Sequence, residues 1–388
     1  MRPAAARGLT AACVALASLA TPVTFDNTRP VLDARGEILD AHDQSMRRFY
    51  PNGPYYRHAV AYGGCLEPNA TGCDRTSVDC GFQANHSINV WRSADLSSGS
   101  WALAAVAIAP SQRPAGVVFR PSAVFNPNLG TVVLGWNFMS NGVPTAVSAS
   151  GDPEGPFVFT GSSLNLTTGG VSDWAWFVDP ADQKGYIIYS ANFQIHIEQL
   201  TDDFLAVRGA PNNYTFAEVF VEAPHLFERK GVYYALFGWC CCFCKQGSAV
   251  IVHSAPHPLG PWTAQAVGPS YERGDIACVP KSGAAASSYA AAALGGAALG
   301  TLPTPGLGCE YKNSSETSIT RAQQNSIWEV DTASGEVVYL WVGDAWQQAP
   351  DGVKGHDPQT VLRLVFDDAN GGQIAKLIWQ DSFELDVV

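Results

Sequence analysis

Ser93-Ala94-Asp95…Gly99-Ser100-Trp101 recurs as Ser148-Ala149-Ser150…Gly155-Pro156-Phe157 and again as Ser254-Ala255-Pro256…Gly260-Pro261-Trp262. Each copy follows a short apolar run and closes on Gly, then Pro or Ser, then an aromatic ring. Trp101 and Phe157 are 56 residues apart, and Phe157 and Trp262 are 105 apart, close to one and two periods of a common spacing. Self-similarity at a fixed spacing marks a repeat architecture, and ~40–50 residues holding several short strands is the spacing of a propeller blade.

Working outward from that phrase, the chain divides into five segments. The first runs from about Asp33 to Ala109 and holds Tyr55-Tyr56 and Ile88-Asn89-Val90-Trp91 as strand material. The others begin near Arg120, Asp173, Glu222 and Gln324. Each of these four opens on a polar residue, runs through a short apolar strand and a turn, and continues as a second strand such as Gly185-Tyr186-Ile187-Ile188-Tyr189 or Gly231-Val232-Tyr233-Tyr234. Short alternating runs between turn residues, with no helical periodicity, predict an all-β chain. In the third segment Leu200-Thr201-Asp202-Asp203 stands where the repeated phrase stands elsewhere. Residues 30–388 are thus expected to form one five-bladed β-propeller. The Ala/Gly/Ser tract over 280–305 breaks the period and reads as an insertion loop between blades four and five.

Composition agrees. The chain of 388 residues has 37 Gly and 25 Pro, is 46% hydrophobic and only 15% charged, against about 25% charged in ordinary domains. A net charge of −12 argues against nucleic acid, which needs clustered Lys and Arg. No membrane span is expected past the N-terminus. Residues 1–20 read as a signal peptide: Arg2 and Arg7, an apolar run from Leu9 to Ala20, and a Ser18-Leu19-Ala20 cleavage site. Five Asn-x-Ser/Thr sequons (Asn69, Asn85, Asn165, Asn213, Asn313) fit that secretory route. Nine cysteines follow the signal. The Cys240-Cys241-Cys242-Phe243-Cys244 cluster lacks a His pair at zinc spacing, so disulfides are expected and a metal is not. We expect a secreted monomer with no cofactor. Eleven Trp and 13 Tyr offer faces on which sugar rings stack, although most must fill β cores.

In a propeller the residues that open the first strands converge on the axis. This makes Asp40/His42, Arg120, Asp173, Glu222 and Gln324 one candidate cluster. Glu222-Ala223-Pro224-His225-Leu226-Phe227, followed by Gly231-Val232-Tyr233-Tyr234, resembles the catalytic-acid segment of glycoside hydrolase family 43, whose members fold as five-bladed propellers and cleave glycosidic bonds with inversion. Over about residues 35–387 the chain resembles the branch containing exo-β-1,3-galactanases. The matching segments are Asp40-Ala41-His42, Arg120-Pro121-Ser122-Ala123-Val124-Phe125-Asn126, Ser172-Asp173 leading to Phe177-Val178-Asp179, Gln324-Asn325-Ser326, Gly343-Asp344-Ala345-Trp346 and Trp379-Gln380-Asp381-Ser382-Phe383.

The resemblance implies a polysaccharide substrate of the β-galactan or arabinogalactan type. Glu222 is then the acid, Asp173 the carboxylate that raises its pKa and orients it, and Gln324 the water-positioning group. Asp40 is the rival base, and Gln323 replaces Gln324 if the match lies one residue earlier. His42, Arg120, Trp174, Trp176, Asn325, Asp344 and Trp346, with Asp40, are the implied sugar contacts. Two departures stand out. Phe119 occupies the place of a Glu before the Arg-Pro, and Gly64 the place of a Glu after the first blade's Tyr-Tyr strand. Losing hydrogen-bond acceptors from a sugar site changes specificity strongly. Two other readings follow: a carbohydrate-binding propeller without turnover, and an arabinofuranosidase or xylosidase with Asp40 as base.

Overall fold

A computed structural model describes residues 22–67, 85–138, 142–219, 221–239, 247–265, 276–280, 307–311, 320–377 and 379–388. After β1 (Val23–Asp26), blade one is β2 (His42–Arg48), β3 (Tyr55–Val60), β4 (Ile88–Ser93) and β5 (Ala102–Ile108). Blade two is β6 (Phe119–Asn126), β7 (Thr131–Asn137), β8 (Val143–Ser148) and β9 (Val158–Leu164). Blade three is β10 (Val171–Val178), β11 (Gly185–Ala191), β12 (Gln194–Gln199) and β13 (Asn213–Thr215). Blade four is β14 (Val221–Arg229), β15 (Val232–Trp239), β16 (Ile251–Ala255) and β17 (Thr263–Ala264). A paired β18 (Ile276–Pro280) and β19 (Leu307–Tyr311) follow. Blade five is β20 (Gln323–Asp331), β21 (Val337–Asp344) and β22 (Gln359–Arg363). The chain ends in the hairpin β23 (Val365–Asp367) and β24 (Gln373–Lys376), then β25 (Ser382–Leu385), which pairs antiparallel with β1.

Every blade is an antiparallel meander in sequence order, and the first strands β2, β6, β10, β14 and β20 touch in a closed cycle. The chain is a five-bladed β-propeller.

Strand periodicity explains how the blades stack. Successive side chains point to opposite faces of a strand, so each blade feeds two cores. Tyr55 packs toward blade five and Tyr56 toward blade two. Tyr233 packs toward blade three and Tyr234 toward blade five. Five apolar clusters result, one between each pair of neighbouring blades, and the β1–β25 pair adds Phe25 and Phe383 to the cluster between blades five and one.

The repeated phrase is the turn between the third and fourth strands of blades one, two and four, and Leu200–Asp203 lies in the corresponding turn of blade three. Its glycines have φ of 89°, 97° and 90° at Gly99, Gly155 and Gly260, a region where a Cβ is penalised. The aromatics that follow turn back onto the blade, with Trp101 and Phe157 buried. The phrase is therefore a fold signal remote from the axis.

Residues 1–20, Asn69, Asn313, the Cys240–Cys244 cluster and, past Pro280, the rest of the tract over 280–305 lie outside the described residues. Asn85 and Asn165 are exposed and Asn213 is half-buried. The register sets Cys278 opposite Cys309 in the β18–β19 pair. No helix among the described residues is long and apolar enough to cross a membrane.

Candidate active site

All five first strands carry the same irregularity at the end where they begin. Their register with the second strand slips by one residue between His42 and Ser45, Phe119 and Ser122, Val171 and Trp174, Glu222 and His225, and Gln324 and Ser326. Such a bulge inserts one residue and re-aims its neighbours. In blades one, two and four the residue after the slip begins is left-handed: φ is 49° at Asp43, 50° at Arg120 and 57° at Ala223. None is glycine, so each position holds a strained backbone costing about 1 kcal/mol. By this register Glu222 corresponds to Phe119 and His42, and Arg120 corresponds to Asp43.

The bulges converge on a buried polar cluster. Asp173 Oδ1 accepts from Arg120 Nε at 3.0 Å, and its Oδ2 accepts from the backbone N–H of Ala223 at 3.0 Å. Arg120 Nε also lies 3.5 Å from Asp43 Oδ1, and its Nη1 donates to Asn325 O at 3.3 Å. Asp43 Oδ2 accepts from Tyr62 Oη at 2.6 Å. Glu222 Oε1 accepts from Gln323 Nε2 at 2.5 Å, and Gln323 Oε1 accepts from Trp346 Nε1 at 2.9 Å. Three carboxyl groups and one guanidinium thus share a site almost closed to solvent.

The electrostatics follow from that crowding. Burial and the Asp173 charge push the Glu222 carboxyl well above the usual range, against the pull of Arg120. Burial raises Asp43 to about 6, tempered by Arg120 and assisted by Asp344. A proton on Glu222 beside an open Asp43 is therefore accessible near neutral pH. Underneath, Asp344 accepts from Asp43 N at 2.8 Å and meets His42 Nδ1 at 3.1 Å. Despite its burial, His42 is raised to about 9 by Asp344, Asp40 and Asp357. The pair fixes the Asp43 backbone.

Glu222, Asp173 and Arg120 come together as the sequence predicts. Other expectations are corrected. Gln324 is fully buried; its Nε2 donates to Ala223 O at 2.7 Å and Leu236 O at 2.8 Å, and its Oε1 accepts from Trp341 Nε1 at 2.7 Å. Both of its donors and one acceptor site are thus committed to the backbone and a core indole. Its neighbour Gln323 meets Glu222 instead, because successive strand residues face opposite ways. Asp40 accepts from the N–H groups of Tyr62 and Gly63 at 2.8 and 2.7 Å and serves as a loop brace. Trp174 and Trp176, two apart, share one face and lie in the core between blades two and three; the Trp176 indole N–H is spent on Ser122 O at 3.1 Å. His42, Asp344 and Trp346 support the cluster from behind, and Asn325 supplies a backbone carbonyl. Sequence reasoning missed Asp43. The signal was present: Asp43-Gln44-Ser45 repeats the spacing of Arg120-Pro121-Ser122. Among the described residues no group of three or more His, Cys, Asp or Glu is arranged to hold a metal ion.

Solved structures share this architecture. A β-1,3-galactosidase of glycoside hydrolase family 43 superposes with a TM-score of 0.62 at 18% identity, over 94% of this chain and 64% of its own. The fold is that of family 43. An exo-β-1,3-galactanase from Clostridium thermocellum gives 0.64 at 20% identity over 94% and 67%, and one from Phanerochaete chrysosporium bound to galactose gives 0.61 at 18% over 93% and 68%. The chain spans about two thirds of the length of these family 43 proteins. No family model matches the sequence, and no curated protein matches it.

Proposed function

We propose that the protein is a secreted, inverting glycoside hydrolase acting on a β-galactan or arabinogalactan-type polysaccharide. The observation that carries the reading is the buried Glu222 held beside Asp173, whose second oxygen is pinned by the amide of the residue after Glu222. An inverting glycosidase needs a carboxylic acid still protonated at working pH, and a group that activates water on the opposite face of the sugar.

Glu222 protonates the glycosidic oxygen as the bond to the anomeric carbon breaks. Asp173 keeps that proton on Glu222 by repulsion and is itself held by Arg120. Asp43, not Gln324, is the base: it takes a proton from the attacking water, and its pKa of about 6 suits a base working near neutrality. After turnover Glu222 is ionised and Asp43 protonated, and solvent resets both.

The three buried carboxyl groups argue against a propeller that only binds sugar, since burying charge without use is costly. Asp43 favours a second reading. A carboxylate base in blade one, together with Phe119 and Gly64 where two acidic sugar contacts would stand, fits an arabinofuranosidase or xylosidase.

Purified protein should be assayed on β-1,3-galactan and on aryl arabinofuranosides and xylosides, with Glu222→Gln beside it and the product anomer followed by NMR. Turnover with inversion is expected, and Glu222→Gln should lower it most on the polymer. No turnover on any of the three would overturn both enzymatic readings, and a product of retained configuration would overturn the mechanism.

A further inference from the structure

The connection between β21 and β22 carries a lysine whose charge is buried. Lys354 is 1% exposed and opens a turn of 3-10 helix over Lys354–His356. That turn is stitched to the loop that follows β3. Lys354 N donates to Cys65 O at 2.9 Å, Glu67 N donates to Gly352 O at 2.7 Å, and Leu66 pairs with Val353. The Lys354 ammonium lies 3.8 Å from Glu67 Oε1. It also sits over two aromatic rings, 4.8 Å from the centre of Tyr62 and 4.9 Å from that of Trp346, both within cation–π reach. The rings themselves meet edge to face at 5.4 Å.

An aliphatic side chain would fill the same space without the cost of taking a charge out of water. The charge therefore calls for a use, and the polar ends of the two rings supply one. Tyr62 Oη donates to Asp43 Oδ2 at 2.6 Å, and Trp346 Nε1 donates to Gln323 Oε1 at 2.9 Å. Gln323 Nε2 in turn donates to Glu222 Oε1 at 2.5 Å. A cation on a π face draws electron density from the ring, so the phenol O–H and the indole N–H become stronger donors. An indole N–H can only donate, so it also fixes the Gln323 amide with its NH2 group toward Glu222.

We propose that Lys354 is a positioning residue, whose ammonium strengthens the hydrogen bonds from Tyr62 to Asp43 and from Trp346 to Gln323. This role rests on Asp43 and Glu222 being the base and the acid. Other charges face the same groups. His42 abuts Tyr62 and Trp346 at 5.6 and 5.5 Å, Glu67 faces the ammonium, and Arg120, Asp344 and Asp173 act on Asp43. Loss of the ammonium weakens a bond that favours ionised Asp43, so the Asp43 carboxyl should hold its proton to higher pH.

Lys354→Met keeps the stem and removes the charge. Its kcat should fall by about 10-fold with KM little changed, and the acidic limb of its profile should move to higher pH. Lys354→Arg should restore both. Carboxyl-carbon NMR, with Asp43 assigned by Asp43→Asn, reads the same effect without turnover: the Asp43 titration should move upward in Lys354→Met. If Lys354→Met does not fold, Glu67→Gln tests the charge from the other side, since losing that carboxylate should move the Asp43 titration downward. A titration that keeps its wild-type position in the folded variant overturns the role of Lys354, as does a loss of kcat with an unmoved limb. Absence of wild-type turnover overturns the enzymatic reading alone, because the titration still decides whether the ammonium acts on Asp43.

Discussion

Asp173 accepts a hydrogen bond from the backbone amide of Ala223, the residue that follows Glu222, at 3.0 Å. One carboxylate of blade three is thereby joined to the strand of blade four that carries Glu222. Its charge acts on Glu222 at a distance set by backbone, not by a mobile side chain. Removing that charge is therefore a clean perturbation.

Asp173→Asn keeps an acceptor for the Ala223 amide but deletes the repulsion. The Glu222 pKa should fall, since the Asp173 charge is one of the causes that raise it. The acid must be protonated to work, so activity is lost as pH rises through its pKa. The alkaline limb of the kcat/KM profile should move to lower pH, with kcat reduced. An unmoved limb would separate Asp173 from the acid.

Glu222→Gln should lower kcat on polymeric substrate by about 10²–10⁴-fold. The loss should shrink on aryl glycosides with acidic leaving groups, which depart without a proton. Equal losses on both substrates would point to misfolding.

Asp43→Asn should cost a similar factor, and azide should restore turnover by taking the place of water. Tyr62→Phe removes a donor that lowers the Asp43 pKa. The base must be unprotonated, so activity is lost as pH falls through its pKa, here about 6. Raising that value should move the acidic limb to higher pH, a shift that the pH profile of Tyr62→Phe reads directly.

Gln324→Ala and Gln323→Ala should separate structure from chemistry. The first leaves Ala223 O, Leu236 O and Trp341 Nε1 unpaired in the core, at about 1–3 kcal/mol for each buried orphan. Its unfolding midpoint in urea should drop sharply. The second frees Glu222 from a donor that lowers its pKa. It should leave stability nearer wild type while shifting the alkaline limb upward.

Against the effect of its burial, Asp344, Asp40 and Asp357 push His42 up to about 9 from the ordinary 6.5. A raised folded pKa contributes stability that is complete below about 6.5 and lost as pH rises through about 9, worth about 3 kcal/mol. Urea unfolding between pH 6 and pH 9.5 should show this decline, and His42→Gln should flatten it.

The fold was legible because a turn between outer strands repeats a phrase that backbone geometry demands: left-handed glycine, then an aromatic that folds back. Strand alternation made the blades legible for the same reason. The site was legible only in part. Glu222, Asp173 and Arg120 open their strands with polar groups amid apolar neighbours. Gln323 and Gln324 are not told apart by sequence, because neighbouring strand residues face opposite ways and their identical side chains do not say which one meets Glu222. Asp43 was passed over for Asp40 because charge alone does not reveal a carboxylate spent on two loop amides.

The five bulges have one more implication. They make the rim of the axis a ring of near-equivalent sockets, differing in the side chain each blade inserts. Rotation by one blade moves a socket without altering the scaffold. Reactivity on such a frame can migrate: a water-activating group lost from one blade can be regained in another by a single substitution. Asp43 of the first blade acts through its charge on the same Glu222 that Gln323 of the fifth blade holds by a hydrogen bond.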